Sequence, residues 1–90
     1  MRDIRPTGQF RKDLKLIRKR GYDLRLLEEV LRMLAEDVPL PPKYRDHSLA
    51  GKFSGSRECH ISPDWLLIYE KYNSNLYLYL LRTGTHSDLF

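Results

Sequence analysis

The sequence contains a single cysteine, Cys59, so no disulfide can form within the chain and stability must come from packing. A structural zinc site usually needs repeated cysteines or cysteine–histidine pairs, so none is expected. Cys59 is followed by His60 in a probable strand, where successive side chains point to opposite faces. The two are therefore a poor thiolate–imidazole pair, and we interpret Cys59 as a small packed residue.

Long hydrophobic runs are also missing from the chain. No apolar stretch approaches the roughly 20 residues that cross a bilayer, and Met1–Pro6 lacks the apolar core of a secretory signal. We therefore expect a cytoplasmic protein without membrane contact. The 90 residues predict one domain, residues 1–90, near the lower end of what folds around a single core.

Acidic residues are scarce where basic residues are densest. The net charge of +4 lies in residues 1–46, which hold 12 Lys and Arg against 8 Asp and Glu, whereas residues 47–90 hold 4 of each class. Six cations opposed only by Asp13 form the densest group: Arg11, Lys12, Lys15, Arg18, Lys19 and Arg20. Such a cluster attracts a polyanion or an acidic protein partner, although a solvated helix face is an equally available interpretation.

The first half of the chain predicts a pair of helices. One apolar seam runs between Thr7, a candidate N-cap, and Gly21, and a second runs from the candidate N-cap Asp23 to about residue 37. The second seam is so broad that we expect its helix to be buried against both the first helix and a sheet. The seam residues are Phe10, Leu14 and Ile17 in the first helix, and Leu24, Leu27, Val30, Leu31 and Leu34 in the second, widened by Leu26 and Met33.

Strands are predicted at residues 2–6, 57–61, 65–72 and 76–82, and residues 38–56 read as a long connection. Turns at Ser62-Pro-Asp64 and Asn73-Ser-Asn75 make the last three strands consecutive hairpins. The order β-α-α-β-β-β predicts an α+β fold in which a helical hairpin packs on a small antiparallel sheet, followed by a short C-terminal helical turn. In the last strand, Leu76, Leu78, Leu80 and Arg82 are expected to share one face.

All three histidines lie in the second half, in segments that read as strand ends or loops. Imidazole is the side chain best suited to exchange protons near neutral pH. Because hairpins join the last three strands, several polar and aromatic residues should meet at one sheet edge. These are His60, Asp64, Trp65, Arg82 and His86, with His47 on the long connection and Phe90 at the end of the chain. A small basic chain that gathers these groups could cleave RNA without a metal ion.

Each of these residues also has a purely structural interpretation. Arg82 could form a salt bridge to Asp64, and Trp65 could belong to the core. Asp64 could only cap its turn, because Pro-Asp is common in turns. Phe90 could be a core plug or part of a frayed end. The functional interpretation therefore depends on convergence in space rather than on any single residue.

Three pieces of the sequence carry a family resemblance: Asp46-His47-x-Leu49, Pro63-Asp-Trp65 and Arg82-Thr-Gly-Thr-His86. Together they resemble the bacterial toxin family typified by RelE, and most closely its YafQ branch. The resemblance covers nearly the whole chain. It is also carried by Phe10, Lys12-Asp-Leu-Lys15, Leu40-Pro41, Gly55, Arg57, Ile68-Tyr69 and Leu89-Phe90.

The resemblance implies a ribosome-dependent endoribonuclease of a type II toxin–antitoxin system, which cuts mRNA in the ribosomal A site without a metal or other cofactor. Its implied partners are the ribosome, mRNA and an acidic antitoxin protein that also binds DNA. The implied site positions are His47, His60, Asp64, Arg82 and His86 as catalytic residues, and Trp65 and Phe90 as residues that hold an unstacked base. The residues expected to contact ribosomal RNA or the antitoxin are Arg11, Lys15, Arg18 and Lys19.

The implied chemistry is general acid–base catalysis at a phosphodiester. Asp64 or His60 would deprotonate the 2′-hydroxyl, and His86 would protonate the leaving oxygen. Arg82 would bind the non-bridging oxygens, with His47 assisting. Two rival interpretations stay open at this point: a non-catalytic RNA- or protein-binding module, and a ribonuclease that needs no ribosome.

Overall fold

The computed structural model describes residues 1–90, with three helices and five strands numbered here in chain order. The first half holds β1 (Asp3–Pro6), α1 (Gly8–Lys19) and α2 (Leu24–Ala35), and the connection holds 3₁₀ turns at Pro42–Tyr44 and Gly51–Phe53 on either side of β2 (His47–Ser48). The second half holds β3 (Arg57–Ser62), β4 (Trp65–Lys71), β5 (Tyr77–Gly84) and α3 (His86–Leu89). None of the helices is long and apolar enough to span a bilayer.

The two long helices begin where their capping residues predict. The Thr7 side chain accepts a hydrogen bond from the backbone N–H of Phe10, and Asp23 accepts one from the backbone N–H of Arg25. Gly21 follows the end of α1 with φ +80°, a conformation that glycine adopts without a steric penalty. The second helix ends at Ala35, slightly before the predicted position.

The sheet has the strand order β1-β5-β4-β3-β2. The α+β class is confirmed, but the sheet is mixed, because β1 pairs in parallel with β5 while all other pairs are antiparallel. β2 was expected to be part of a loop. Its two residues, His47 and Ser48, pair with Glu58 and Arg57 of β3, which extends the sheet at the edge that carries the histidines.

An irregularity in β5 changes which residues share a face. Ile68 is opposite Arg82, but the next residue of β4, Tyr69, is opposite Leu80, so Leu81 has no partner. This bulge moves Arg82 off the face that Leu78 and Leu80 present to the core, where it had been expected. Bulges of this kind re-aim side chains near functional sites.

The main core lies between the helical hairpin and one face of the sheet. It comprises 14 buried residues, among them Ile17, Val30 and Cys59. Each large apolar side chain buried there contributes roughly 1.5–3 kcal/mol relative to exposure. The opposite face of the sheet has a cluster of only three buried residues, Leu66, Ile68 and Leu89. The expectation that Leu26 belongs to the buried seam is wrong, because this side chain is 41% exposed.

Candidate active site

Three imidazoles stand in a row at the β2–β3 edge of the sheet. The ring centroids of His47 and His60 are 6.5 Å apart, and those of His60 and His86 are 5.8 Å apart. The ring of Phe90 continues the row at 6.4 Å from that of His86. The structure thus brings together the three histidines that the sequence suggested, although 39 residues of chain separate the first from the last.

Each imidazole is carried by a different element. His47 begins β2, and its pairing with Glu58 places it beside β3. His60 lies opposite Leu66 in the β3–β4 hairpin. His86 is the first residue of α3, directly after β5. The short β2 strand is therefore what fixes His47 in the row, and its two residues are too few for the sequence pattern to show.

The hydrogen bonds of His47 and His60 assign the protonated ring nitrogen. The Nδ1 atom of His47 lies 2.7 Å from the backbone carbonyl oxygen of Arg45, and Nδ1 of His60 lies 3.3 Å from that of Pro63. A carbonyl oxygen only accepts, so in both rings Nδ1 carries the proton and donates it. This leaves both Nε2 atoms available for proton transfer.

Asp64 holds His86 by two contacts to the same carboxylate oxygen. Its Oδ1 accepts from the backbone N–H of His86 at 3.1 Å and lies 2.9 Å from Nδ1 of the ring. These hydrogen bonds lower the pKa of the Asp64 carboxyl below its usual value, so the group is ionised at neutral pH. An ionised carboxylate on Nδ1 orients the ring and stabilises its imidazolium form.

Glu58 was not recognised from the sequence as a site residue. Its side chain is buried, and its Oε1 lies 3.4 Å from Nε2 of His47 and 3.7 Å from Nε2 of His60. The carboxylate thus faces both rings from the same strand face. Strand alternation could have revealed it, because residues two apart in a strand share a face.

The same carboxylate completes a set of possible metal ligands. Glu58, His60 and His86 each offer one ligand atom, and these atoms lie within 4.8 Å of one another. Imidazole nitrogens combined with a carboxylate oxygen suit zinc, copper or nickel. The sequence had suggested no metal ligands, because His86 is far along the chain from Glu58 and His60 and joins them only in the folded structure.

A second network fixes the segment that precedes His47. Asp46 accepts hydrogen bonds from the hydroxyl of Tyr69 and from the guanidinium of Arg57. Burial, followed by the neighbouring Asp46 carboxylate, raises the pKa of Tyr69 well above its usual value, so the phenol remains a hydrogen-bond donor. The start of β2 is thereby tied to β3 and β4.

Arg82 does not contact the histidines or Asp64 by hydrogen bonds, contrary to the sequence expectation. Its Nε and Nη2 atoms donate to the carboxylate of Asp13 on α1, at 2.7 and 3.2 Å. Asp13 also accepts from the backbone N–H of Thr83, which lies beyond the part of β5 that pairs with β1. The partner of Arg82 is therefore on a helix 69 residues away in sequence.

The expectation that Trp65 holds an RNA base is wrong for this structure, because the residue is only 1% exposed. Its indole lies edge-on to the ring of Tyr22 at 5.1 Å, and its Nε1–H donates to the hydroxyl of Thr83. Thr83 in turn donates to the backbone carbonyl oxygen of Leu66. Trp65 is thus a core residue whose polar atom is satisfied internally.

Phe90 remains available for the predicted contact with a base, because it is 63% exposed. Its ring packs edge-to-face on Phe53 at 5.7 Å. Lys52 places its ammonium 5.7 Å from the centre of the Phe53 ring. Phe53 and Lys52 were not predicted from the sequence, because they lie in the long connection and meet the C-terminus only through folding.

Exposed cations occur at two further places on the surface. A cleft lined by residues that include Lys43, Arg45 and His60 separates α2 from the β3–β4 turn. The four predicted contact residues of α1 are all exposed and make no salt bridges: Arg11, Lys15, Arg18 and Lys19.

The family model described as "Bacterial toxin of type II toxin-antitoxin system, YafQ" matches residues 2–90. The chain belongs to the YafQ family of toxins. The resemblance inferred from the sequence motifs is thereby confirmed, and so is the RelE-like α+β fold.

Three relatives illustrate this membership. The mRNA interferase toxin YafQ of Escherichia coli strain K12 is 43% identical over 90 residues, which cover 99% of this chain and 96% of that protein. A crystal structure of the E. coli DinJ–YafQ complex matches with TM-score 0.90 and 43% identity, over 100% of this chain and 99% of that chain. A crystal structure of a metal-bound toxin from Helicobacter pylori matches with TM-score 0.93 and 47% identity, over 100% of both chains.

Proposed function

We propose that this YafQ-family toxin is an mRNA interferase that cuts mRNA in the ribosomal A site by metal-independent general acid–base catalysis. The observation that carries the proposal is the row of three imidazoles, each with its Nδ1 engaged and two of them flanked by the carboxylate of Glu58. The E. coli relative is named an mRNA interferase toxin. Ribosomes and mRNA meet in the cytoplasm, so we place the toxin there.

The reaction is an internal transesterification of RNA. His60 takes the proton of the 2′-hydroxyl, and the 2′-oxygen attacks the adjacent phosphorus. The bond from phosphorus to the 5′-oxygen breaks as the imidazolium of His86 gives that oxygen its proton. The products are a 2′,3′-cyclic phosphate and a 5′-hydroxyl, so protons and electrons balance without an external reactant.

The geometry supports His60 over Asp64 as the base. The Asp64 carboxylate is already bonded to His86, which lowers its pKa and makes it a weak proton acceptor. Asp64 instead stabilises the imidazolium of His86, as Glu58 does for the imidazolium that forms on His60. His47 shares Glu58 with His60 and assists by a hydrogen bond to the phosphate.

Arg82 and Phe90 bind the substrate in this scheme. Arg82 is held by Asp13 through Nε and Nη2, so its remaining nitrogen Nη1 is the donor for a non-bridging phosphate oxygen. The exposed ring of Phe90, backed by Phe53, stacks on an unpaired base. General acid–base catalysis supplies about 10²–10⁴-fold, so alignment of the RNA by the ribosome supplies much of the rest.

The partners follow from charge and from the known complex of a relative. E. coli YafQ has been crystallised with DinJ. We propose that this toxin likewise binds an acidic antitoxin, itself a DNA-binding protein. The exposed cations of α1 contact ribosomal RNA phosphates in the active toxin, or the antitoxin in the inactive complex: Arg11, Lys15, Arg18 and Lys19.

Inducible expression in a bacterium tests the proposal directly. The wild type should arrest growth and create new mRNA 5′ ends within translated codons. The double variant His60→Gln and His86→Gln should do neither, whereas a matched double variant of exposed α2 carboxylates, Glu28→Gln and Glu36→Gln, should arrest growth like the wild type.

The same proteins should be compared on programmed ribosomes and on naked RNA. Cleavage of naked RNA at a similar rate would favour a ribosome-independent ribonuclease. Growth arrest by the histidine double variant without new mRNA ends would favour a non-catalytic binding module, and either result would contradict the proposal.

A second candidate activity concerns metal binding. The H. pylori relative has a metal-bound crystal structure, and Glu58, His60 and His86 form a fitting ligand set here. We propose that a bound transition-metal ion inhibits cleavage, because it occupies the ring nitrogens that transfer protons. Titration with Zn²⁺ or Cu²⁺ should abolish cleavage and EDTA should restore it, whereas stimulation by either ion would contradict metal-independent catalysis.

A further inference from the structure

The α3 helix that carries His86 has only four residues and cannot support itself, because helix nucleation in isolation is unfavourable. A reciprocal capping box secures its first turn. The hydroxyl of Thr85 accepts from the backbone N–H of Asp88 at 3.2 Å, and the carboxylate of Asp88 accepts from the backbone N–H of Thr85 at 2.9 Å. The position of the imidazole therefore depends on Asp88.

Asp88 in turn forms a salt bridge with Arg20, the residue that follows the end of α1. The Nη1 and Nη2 atoms of Arg20 donate to its two carboxylate oxygens at 2.7 and 3.0 Å. A two-point arginine–carboxylate pair fixes orientation as well as distance. This pair is the contact that ties α3 to the helical side of the molecule, 68 residues earlier in the chain.

The end of β5 is shaped to receive the Asp88 carboxylate. Gly84 has φ +156°, and a Cβ built on it would lie 2.9 Å from Oδ2 of Asp88. Any larger residue would therefore have to displace the carboxylate or the turn. Gly84, Asp88 and Arg20 form one closed arrangement beside the histidine row.

This arrangement constrains the position of His86. Both the backbone N–H and Nδ1 of His86 must reach the same oxygen of Asp64, at 3.1 and 2.9 Å. Two contacts to one atom leave little freedom for the turn that carries them. We propose that Arg20 and Asp88 are positioning residues, which hold α3 so that His86 is oriented by Asp64 and presents its Nε2 to the leaving oxygen.

Arg20 differs in this respect from its neighbours on α1. Arg18 and Lys19 are exposed cations without a salt-bridge partner, whereas the Arg20 guanidinium is occupied by Asp88. Its charge is thus engaged within the molecule rather than presented to a polyanion. The inference rests on the proposed catalytic function of His86, and the experiment below separates the two.

The test uses the full chain with Arg20→Met, which removes the guanidinium, and Arg20→Lys, which keeps the charge but loses the fork. The matched control is Arg25→Met, because Arg25 makes a similar two-point contact to Asp23 on the exposed surface at the start of α2. The first readout is the hydrogen-exchange rate of the His86 backbone N–H relative to that of the β4 amides, followed by NMR. The second is the single-turnover cleavage rate on programmed ribosomes at saturating toxin.

In Arg20→Met, the His86 backbone N–H should exchange faster relative to the β4 amides, because its hydrogen bond to Asp64 is loosened. The cleavage rate should fall roughly 10- to 100-fold, the scale of a misplaced catalytic group. Arg20→Lys should be intermediate in both readouts, and Arg25→Met should match the wild type. If Arg20→Met is too unstable to measure, Asp88→Asn is expected to show the same two changes.

Unchanged relative exchange of the His86 backbone N–H with only a lower melting temperature would overturn the inference and leave the pair a structural tie. Faster relative exchange with an unchanged cleavage rate would equally overturn it, provided that His86→Ala loses activity. If His86→Ala keeps the full rate, the proposed role of His86 as the acid fails instead. The NMR readout then still decides whether Arg20 positions the ring.

Discussion

The two faces of the sheet differ in what they contribute: one holds the main hydrophobic core, and the other carries the candidate active site. The face under the helical hairpin has a core of 14 buried hydrophobic residues, whereas the opposite face buries only three hydrophobic residues and carries the histidine row along its edge. Hydrophobic burial on the first face supplies the main driving force for folding. The second face can therefore expose imidazoles and carboxylates, which it orients by hydrogen bonds and short capped segments.

The sharpest test of this division is His86→Ala on the polar face. The single-turnover cleavage rate on programmed ribosomes should fall by about 10²–10⁴-fold, because the proposed proton donor to the leaving oxygen is lost. The melting temperature should change little, because the side chain is largely exposed. A cleavage rate equal to that of the wild type would contradict this division between the two faces. So would a large loss of stability without a loss of cleavage rate per folded molecule.

Trp65→Ala should have the opposite signature on the helical face. Removal of a buried tryptophan typically costs about 3–5 kcal/mol of unfolding free energy, measurable by urea denaturation. The rate per folded molecule should stay close to that of the wild type. Trp65→Phe, which loses the bond to Thr83 and a smaller part of the buried ring, is the milder companion variant. A selective loss of rate in Trp65→Phe would restore the base-holding role expected from the sequence.

Charge reversal on α1 should weaken binding without touching either the core or the histidines. In the variant Arg11→Glu, Lys15→Glu and Arg18→Glu, affinity for ribosomes should fall, and the slope of log affinity against log salt should shrink by about one for each lost phosphate contact. Circular dichroism should confirm an unchanged fold. Wild-type affinity and salt dependence would leave this surface as an ordinary solvated helix face.

The smallest expected effect is the acid dependence of stability at Asp88. The Arg20 guanidinium, joined by the backbone N–H of Thr85, holds the pKa of this carboxyl well below its usual range. The stabilisation is thus fully present above the unfolded pKa, about 4, and is lost as pH falls through the folded value.

Urea unfolding between pH 7 and pH 3 checks this expectation. The free energy of unfolding of the wild type should exceed that of Asp88→Asn most at neutral pH. This difference should become smaller as the pH falls. A difference in unfolding free energy that does not change with pH would mean that the charge of the ion pair contributes nothing to stability.

The sequence predicted well wherever the signal is local. Thr7 and Asp23 cap helices, and the apolar spacing that follows each of them depends only on neighbours within two turns. Cys59 is buried as expected, and burial raises the pKa of its thiol to about 12, which suits an inert packed residue. The convergence of His60 and His86 was predictable, because consecutive hairpins fix which strand ends are neighbours.

Partners of individual polar side chains were not predictable in the same way. Arg82 was expected near Asp64, but a bulge at Leu81 redirected it and Asp13 on α1 receives it. Trp65 lies beside the polar turn in sequence, yet it is buried against Tyr22. The partners of these side chains depend on how a helix packs across the edge of the sheet. That packing does not produce a periodic pattern in the sequence.

The sequence by itself determined the fold class, the first residues of the two long helices, the excess of cations on α1 and the set of imidazoles available for chemistry. Only the tertiary structure decided that Glu58 serves two of those imidazoles, that the short β2 strand holds His47, and that Asp13 rather than Asp64 receives Arg82. The physical reason is one of range. Periodicity and capping are interactions between near neighbours, whereas each of these contacts joins elements that only the packed core brings together.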